Sequence, residues 1–406
     1  MSGSGEKGTA RSWALRARGE AVIPLATQTH SKAARPGLRE VEPCYIARGA
    51  GCRVWDVDGN EYIDLRNGLG PVSLGYRFPA VEEAVRRQLE SGTVFSYAHP
   101  LEVEVAEALV QAIPCAESVR FLKTGGEAMA AALRLARAFT GRDTVLTCGY
   151  HGWVNNCARA GAPAAWARVS HALPWGETGP YEEFFAAHPD EVACVSVACD
   201  YGGIEAGHAF LPALRSLCER YGALLVFDEI VTGFRLRLGG AQEYFGVTPD
   251  LAVFAKGMSN GVPCAAYLGR RAVMEKVADA SISSTYGGDT LGLAAAAAVL
   301  RTYGEEPVVE TLWERGRQLH GGFAEICARR GIEAGFAGLP PLGLLFFAGD
   351  DGGGLFTRFN GEALKRGVIL YNVCYPSYSH AAADMDRVLE AFDGALGAMQ
   401  EDGCFV

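Results

Sequence analysis

The sequence lacks the features that would place the protein in a membrane, outside the cell or on nucleic acid. No apolar run among its 406 residues is long enough to cross a bilayer without an interrupting glycine, proline or charge. The N-terminal stretch has no hydrophobic core of the kind that a secretory signal peptide needs. The formal net charge of -10 disfavours binding to nucleic acids and to anionic membranes. These absences predict a cytoplasmic protein.

Paired cysteines are also lacking, although cysteine itself is common. None of the 12 cysteines forms a Cys-x-x-Cys pair, so no zinc site is expected. Many of them lie in apolar stretches, where a reduced cysteine packs as a small hydrophobic residue. With 49% hydrophobic and 21% charged residues, the chain has a globular composition. Its length is enough for roughly two or three domains.

Apolar runs alternate with amphipathic segments, which predicts an α/β protein. CRVWDVDGNEYIDL (52–65) predicts a hairpin around an Asp-Gly turn, and GVILYNV (367–373) predicts one strand. We expect residues 1–20 to be a polar tail that becomes an ordered arm further in, and residues 154–190, interrupted by prolines, to be irregular and able to form a lid. The pattern predicts three parts: an N-terminal arm and hairpin (1–65) that pack with the small domain, a large domain (66–304) and a small C-terminal α/β domain (305–406).

Two short buried-strand candidates each lead into a charged residue. Asp228 directly follows LLVF (224–227), and Lys256 follows LAVF (251–254) by two residues. Because ligands of open α/β sheets bind beyond the carboxyl ends of the strands, we expect both side chains in one crevice. The alternative is that both are ordinary charges at strand ends, since lysine at such a place is usually exposed.

The chemistry of this pair indicates a cofactor. A desolvated lysine forms a Schiff base with an aldehyde, and a buried carboxylate pairs with a cationic ring nitrogen. Pyridoxal 5′-phosphate (PLP) needs both partners. The run Thr124-Gly125-Gly126 before a long helix offers backbone amides for its phosphate, although a double glycine more often marks a plain tight turn.

An aromatic pair follows the next strand. The ring of Tyr150 is placed to lie flat on a heterocycle. His151 either hydrogen-bonds or stacks near the cofactor, or it packs without such a role, and the sequence favours neither reading.

Five motifs in register resemble a known family. They are TGGEAMAAALRLARAFTGRD (124–143), YHGW (150–153), FDEIVTGFR (227–235), DLAVFAKGMSNG (250–261) and STYGGDTLGLAAAAAVL (284–300). Together they resemble class III, fold-type I PLP-dependent aminotransferases, and within these the glutamate-semialdehyde aminomutase branch. The resemblance covers residues 40–400.

The resemblance implies a large domain with a mainly parallel central sheet, a small C-terminal α/β domain and a homodimer with active sites at the interface. It implies that Lys256 holds PLP as a Schiff base and moves protons, and that Asp228 pairs with the pyridinium nitrogen. Tyr150 and Ile230 would cover the two faces of the ring, and Thr285 would reach the phosphate of the neighbouring subunit. The implied cofactor-binding set is Thr124, Gly125, Gly126, Tyr150, His151, Asp228, Ile230, Lys256 and Thr285.

Several residues depart from the family pattern. Ala198-Cys199-Asp200 stands where Glu-Pro is usual, so a familiar carboxylate is missing or displaced to Asp200 or Glu205. Lys32 stands near the place where aminomutases carry an arginine for the substrate carboxylate, and lysine lacks the bidentate fork. Asp289-Thr290 replaces the usual Asn-Pro. These changes shift the expected substrate away from glutamate semialdehyde.

The sequence therefore predicts an aminotransferase that takes its amino group from glutamate or glutamine. Its acceptor is expected to be a ketone or aldehyde on a sugar, a cyclitol or an aminoglycoside-type natural-product intermediate, because GYHGW (149–153) and TQTHSK (27–32) resemble class III enzymes that aminate such compounds. The alternatives are an intramolecular aminomutase of the glutamate-semialdehyde type, a PLP-dependent epimerase or decarboxylase, and a non-catalytic relative. Retention of both Asp228 and Lys256 disfavours the last of these.

Overall fold

The computed structural model of the protein describes residues 8–39, 41–154 and 161–405. Cys157 and part of the expected lid at 154–190 lie outside the described residues. The chain divides into two compact units. The first consists of Met1–Leu69, Leu74–Phe78 and Thr311–Val406, and the second of Gly70–Ser73 and Pro79–Glu310. The domain limits expected at residues 65 and 304 stay a prediction, because compactness does not show which segments fold alone.

The strands are short, and most are apolar. In chain order they are β1 (Ile46–Ala50), β2 (Arg53–Asp56), β3 (Glu61–Asp64), β4 (Ser118–Leu122), β5 (Thr144–Cys148), β6 (Ser170–Ala172), β7 (Val192–Val197), β8 (Leu224–Asp228), β9 (Leu251–Phe254), β10 (Ala265–Gly269), β11 (Ala334–Ala337), β12 (Gly343–Phe347), β13 (Val368–Ile369) and β14 (Val373–Cys374).

The α-helices range from single turns to long amphipathic elements. They are α1 (Ala10–Glu20), α2 (Pro79–Ser91), α3 (Pro100–Ala112), α4 (Gly125–Thr140), α5 (Trp166–Val169), α6 (Gly179–Ala187), α7 (Gly207–Tyr221), α8 (Ala241–Phe245), α9 (Arg271–Met274), α10 (Thr290–Glu305), α11 (Val308–Arg330), α12 (Gly354–Lys365) and α13 (Ala382–Glu401). No helix in the described part of the chain is long and apolar enough to cross a membrane.

The second unit is built on a seven-stranded sheet with the order β4-β10-β9-β8-β7-β5-β6. Only β10 runs antiparallel to its neighbours, β4 and β9, and the other pairings are parallel. Strands β5, β7, β8 and β9 are buried along their whole length, as expected for parallel strands covered on both faces. Helix α4 packs its apolar stripe, including Met129 and Leu133, on this sheet. The predicted mainly parallel central sheet is confirmed.

The first unit contains two smaller sheets, β1-β2-β3-β13 and β11-β12-β14. The predicted hairpin at 52–65 is present, with β2 and β3 antiparallel in a register that pairs Val54 with Tyr62. Its turn contains Gly59 at φ +94°, a conformation that favours glycine. The core of this unit includes Phe323, Phe359 and Phe392, whose rings meet edge to face or tilted.

Three local predictions were wrong. Residues 367–373 form no single strand, because Val368–Ile369 pairs with β3 in one sheet and Val373–Cys374 with β12 in the other. The segment expected to be irregular contains β6, which extends the main sheet beside β5, and α6, which begins at Gly179 with Pro180 in its first turn. The expected polar tail contains α1, whose amides at Arg11 and Ser12 both donate to the Asp58 carboxylate at 2.8 Å.

Candidate active site

A pocket of about 940 Å³ opens in the second unit beside the carboxyl ends of β8 and β9. Asp228 is the last residue of β8 and pairs in register with Val253 of β9, three residues before Lys256. Both predicted chemical groups therefore line one cavity. The predicted site residues on its wall are Thr124, Gly125, Gly126, Tyr150, Asp228, Ile230 and Lys256.

Asp228 is buried and held on two sides. One carboxylate oxygen, Oδ2, lies 3.0 Å from Nδ1 of His151, and the other, Oδ1, accepts a hydrogen bond from the amide of Ile230 at 3.1 Å. On the far side of the imidazole, Nε2 lies 3.2 Å from the carbonyl oxygen of Ser196 and 3.3 Å from its Oγ. A consistent assignment has His151 Nδ1–H donating to Asp228 and the Ser196 hydroxyl donating to Nε2. The carboxylate is thus fixed in orientation while it faces the pocket.

His151 does not itself belong to the described wall of the pocket. It is buried behind Asp228, where it makes the hydrogen bonds given above. Of the two readings that the sequence left open, its position matches a hydrogen-bonding residue one step removed from the cavity. Its assignment to cofactor binding stays a prediction.

Lys256 lies on a tight turn that follows β9. Its φ of +48° is in the left-handed region, which is uncommon for a residue with a Cβ and recurs at functional sites. Burial lowers the pKa of its ammonium from the ordinary value to about 8; the Asp228 carboxylate opposes this shift and the Arg235 guanidinium adds to it. At this pKa about a tenth of the Lys256 side chains is neutral at pH 7, whereas less than a thousandth of an ordinary lysine is, and only the neutral amine is nucleophilic.

Helix α4 presents an anion site at its first turn. Thr124 caps the helix through a capping box, because its Oγ1 accepts from the Glu127 amide while the Glu127 carboxylate accepts from the Thr124 amide. Among the described residues, the amides of Gly125 and Gly126 have no hydrogen-bond acceptor. Two free N–H groups at the positive end of a helix of 16 residues are suited to a phosphate.

Gly125 also controls the position of Ile230. A Cβ added at Gly125 would lie 2.5 Å from Cδ1 and 2.9 Å from Cγ1 of Ile230, so this pocket-lining side chain would have to move. Gly152 approaches from the other side, since its Cβ would lie 2.9 Å from Cα of Gly126. The space around the two free amides is therefore kept open by three glycines.

We expect Gly125→Ala to weaken PLP binding and to destabilise the fold by about 1–3 kcal/mol, the usual cost of forcing an extra methyl into a packed site. The matched control is Gly304→Ala in α10, where an added Cβ meets nothing within 4 Å. Because alanine is the better helix former, this control should raise stability by up to about 1 kcal/mol. Thermal unfolding and PLP titration measure both effects, and equal behaviour of the two variants would contradict the role of Gly125.

Two aromatic or apolar side chains predicted to sandwich the cofactor ring both reach the pocket. Ile230 is half-buried against Gly125, and Tyr150 is 69% exposed. Thr285 behaves differently, because it is exposed and is not among the described residues that line the cavity of its own chain. Its expected contact with the phosphate of a neighbouring subunit stays a prediction.

The two carboxylates that could replace the missing glutamate are separated. Asp200 lines the pocket, and its Oδ2 accepts from the Gly203 amide at 2.9 Å. Glu205 is paired with His208 at 3.5 Å and is not on the described wall. If the usual carboxylate has a substitute in this unit, Asp200 is placed for it.

Sequence reasoning missed two buried charges on the loop after β8. Glu229 is fully buried, burial raises its pKa to about 7, and its carboxylate accepts from the amides of Ala241 and Gln242 at 2.8 and 2.9 Å. Arg235 is 1% exposed and donates to the carbonyl of Gly70 at 2.9 Å. The only signal in the sequence was that both charges lie inside the apolar run around FDEIVTGFR, because their partners are distant in the chain.

These groups fit PLP in their chemistry. The buried lysine suits an aldehyde, the oriented carboxylate suits a ring nitrogen, and the two free amides suit a phosphate. All three line the same pocket, which is large enough for a small-molecule cofactor and part of a substrate.

Comparisons with known proteins agree with this chemistry. The family model described as "Aminotransferase class-III" matches residues 37–347. A glutamate-1-semialdehyde 2,1-aminomutase from Syntrophobacter fumaroxidans is 34% identical over 399 residues, covering 88% of this chain and 91% of that protein.

Solved structures extend the similarity to nearly the full chain. The FumI protein of Sphingopyxis sp. MTA144, in its PLP internal aldimine form, has a TM-score of 0.93 and 30% identity, with 98% of each chain covered. A transaminase with PLP bound has a TM-score of 0.89 and 27% identity, covering 98% of this chain and 100% of that chain.

Proposed function

The chain belongs to the class-III aminotransferase family, and from this membership we propose that it moves an amino group from glutamate or glutamine to a ketone or aldehyde. It is a PLP-dependent enzyme of fold-type I. The observation that supports the proposal is the convergence of Lys256, Asp228 and the free amides of Gly125 and Gly126 on one pocket.

When bound, PLP supplies an aldehyde that condenses with amines and a ring that withdraws electrons from the substrate carbon. In the proposed mechanism the amides of Gly125 and Gly126 bind the phosphate. Asp228, oriented by His151, holds a proton on the ring nitrogen. Ile230 and Tyr150, which both line the pocket, would cover the faces of the ring and limit the access of water to it. Lys256 would hold the aldehyde of the cofactor through Nζ and, when a substrate amine takes its place, would carry a proton at Nζ between substrate atoms.

The lowered pKa of Lys256 suits its proposed role as a proton carrier. A proton carrier works best when its pKa lies near the operating pH, because it must both accept and return the proton. With a pKa of about 8 the Lys256 amine meets this condition, whereas an ordinary exposed lysine would remain protonated. We therefore propose that the site accelerates proton transfer at the substrate carbon.

The acceptor is proposed to be a carbonyl compound without an α-carboxylate, such as a sugar or cyclitol intermediate. Of the described residues on the pocket wall, the cations are Lys123 and Lys256, and no arginine is among them. This wall therefore offers no bidentate partner for a carboxylate, so the α-carboxylate of the amino donor would meet a point charge such as Lys123, and we propose an acceptor that needs no such contact. Four aromatic side chains, Tyr150, Trp153, Trp175 and Tyr201, supply flat surface for a ring-shaped substrate instead.

We further propose a homodimer that works in the cytoplasm. Thr285 supports the assembly, because it stands in a family motif yet is exposed and does not line the pocket of its own chain. A phosphate-binding role for Thr285 thus requires a second subunit.

An intramolecular aminomutase is the second candidate. In its favour, relatives that are 31–35% identical to this chain are named glutamate-1-semialdehyde 2,1-aminomutase. The two candidates differ in their use of a donor. A transaminase releases a keto acid when glutamate or glutamine donates its amino group, whereas an aminomutase consumes no donor.

The test is a single-turnover experiment on the PLP-loaded protein. With glutamate alone, in the absence of acceptor, we expect about one equivalent of 2-oxoglutarate per active site, together with loss of the visible absorbance of the cofactor. The same measurement with glutamine covers the second donor. Turnover of glutamate semialdehyde without release of any keto acid from either donor would establish the aminomutase and overturn the transaminase proposal.

A further inference from the structure

Arg235 is a buried cation that lies close in sequence to Asp228 and Ile230. It has no role in the mechanism proposed above. It lies on the loop between β8 and α8, and 1% of its surface is exposed. Its Nη2 donates to the carbonyl of Gly70 at 2.9 Å. A guanidinium keeps its proton in proteins, so this side chain is a permanent positive charge in a low-dielectric interior.

The loop that carries Arg235 packs directly against the Lys256 turn. A Cβ added at Gly257 would lie 3.4 Å from Cβ of Phe234 and 3.7 Å from the carbonyl oxygen of Gly233. The ring of Phe234 stands edge-on to Phe254, at the end of β9, with 5.8 Å between centroids. This loop therefore packs against Phe254, the last residue of β9, and against Gly257, which follows Lys256 in the turn.

The loop is also held rigidly, so Arg235 cannot withdraw from its place. The hydroxyl of Tyr303 donates to the carbonyl of Phe234 at 2.6 Å. The Glu229 carboxylate binds the amides of Ala241 and Gln242 and so fixes the other end of the loop. Phe234 has a φ of +61°, a strained conformation that persists only when its surroundings enforce it.

Few charges act on Lys256 from the elements packed around it. Asp228, at the end of β8, favours its ammonium form, and Arg235 disfavours it. Tyr303 of α10 is neutral, because burial raises its pKa to about 12. Glu229 faces the amides of Ala241 and Gln242 at the start of α8, and His151 lies on the far side of Asp228. Burial is the main cause that disfavours the ammonium form of Lys256, and the Arg235 charge adds to burial against the charge of Asp228.

We propose that Arg235 is a positioning residue for this reaction, whose buried charge adds to the effect of burial and so enlarges the neutral fraction of the Lys256 amine, the form that condenses with the PLP aldehyde. In that condensation the Nζ–carbon bond forms, and the two amine hydrogens leave with the aldehyde oxygen as water. A protonated lysine has no lone pair for this step. The inference rests on the proposed role of Lys256 and adds the group that sets its protonation.

The test measures how fast the apoprotein captures PLP as pH is varied, by the change in visible absorbance. For the wild-type chain we expect a midpoint near pH 8, set by Lys256. In Arg235→Gln the midpoint should rise by about one pH unit, and capture at pH 7 should slow about tenfold, because a nearby like charge has been removed. Arg235→Lys retains a cation and should stay close to wild type.

The matched control is Arg237→Gln, which makes the same change two residues away at an exposed position. Its charge is screened by solvent, so its midpoint should equal that of wild type. Arg235→Met, which keeps an apolar stem, replaces Arg235→Gln if thermal unfolding shows that the glutamine variant is not folded. A purely structural Arg235 would change the unfolding temperature or the extent of capture, but not the midpoint.

An unchanged midpoint in a folded Arg235→Gln or Arg235→Met variant would overturn the inference while the proposed function stands. A midpoint that shifts equally in Arg237→Gln would overturn it as well. Failure of the wild-type chain to capture PLP at any pH would instead remove the proposed function on which it rests.

Discussion

Replacement of Lys256 by alanine is expected to abolish covalent attachment of PLP and to lower turnover by about 10⁴-fold or more, because one substitution removes both the binding amine and the proton carrier. Of the described residues on the pocket wall, the other cation is Lys123, whose ammonium donates to the carbonyl of Pro263 at 3.1 Å and lies 3.8 Å from the Asp289 carboxylate.

The measurement has two parts. To report covalent attachment, the PLP-treated protein is first reduced with borohydride and is then denatured and analysed by mass spectrometry. Steady-state assays report turnover. Lys123→Ala is the matched control, since it removes a lysine from the same pocket and should retain covalent attachment. Retention of the cofactor bond in Lys256→Ala together with its loss in Lys123→Ala would mean that the wrong lysine has been assigned.

The folding of Lys256→Ala needs its own check, because Lys256 has a left-handed backbone conformation. Alanine at this φ carries the same backbone penalty as lysine, so the strain is unchanged by the substitution. It also relieves the cost of a buried amine. We therefore expect the variant to unfold at a temperature equal to or above that of wild-type apoprotein, which separates the loss of chemistry from a loss of folding.

The position of Asp228 and Lys256 was predictable because it depends on local pattern alone. LLVF and LAVF are apolar over four residues each, as buried parallel strands must be, and the charge after each run lies at the same edge of the sheet. The Gly-Gly pair before α4 was predictable for a similar reason, since the capping box and the apolar stripe that follow are contiguous in sequence.

The remaining features depend on partners that are far away in the chain. Helix α1 is capped by Asp58, which is 46 to 47 residues distant, so the tail alone gives no sign of it. Arg235 is buried because its partner at Gly70 is 165 residues away. The β-branched residues in 367–373 favour a single strand, yet the chain passes from one sheet to another within this segment.

Asp228→Asn is the second change with a large expected effect, a fall in turnover of about 10²–10³-fold, or roughly 3–4 kcal/mol in the activation free energy. Asparagine keeps the size of the side chain and can still accept from the Ile230 amide. It lacks the negative charge that would hold a proton on the ring nitrogen, so the ring would withdraw electrons less strongly. PLP attachment through Lys256 should persist, which makes the expected loss one of rate rather than of cofactor.

Asp228→Asn should also shift the pH midpoint of PLP capture, in the direction opposite to the shift expected for Arg235→Gln. The Asp228 carboxylate raises the pKa of Lys256, so its removal should lower that pKa below about 8. The neutral amine would then persist to lower pH, and the midpoint for PLP capture should move down while turnover falls. Asp200→Asn is the matched control, a carboxylate on the same wall that is bonded to the Gly203 amide. A loss of turnover in Asp200→Asn as large as in Asp228→Asn, with no movement of the capture midpoint in either, would place the proton-holding carboxylate elsewhere.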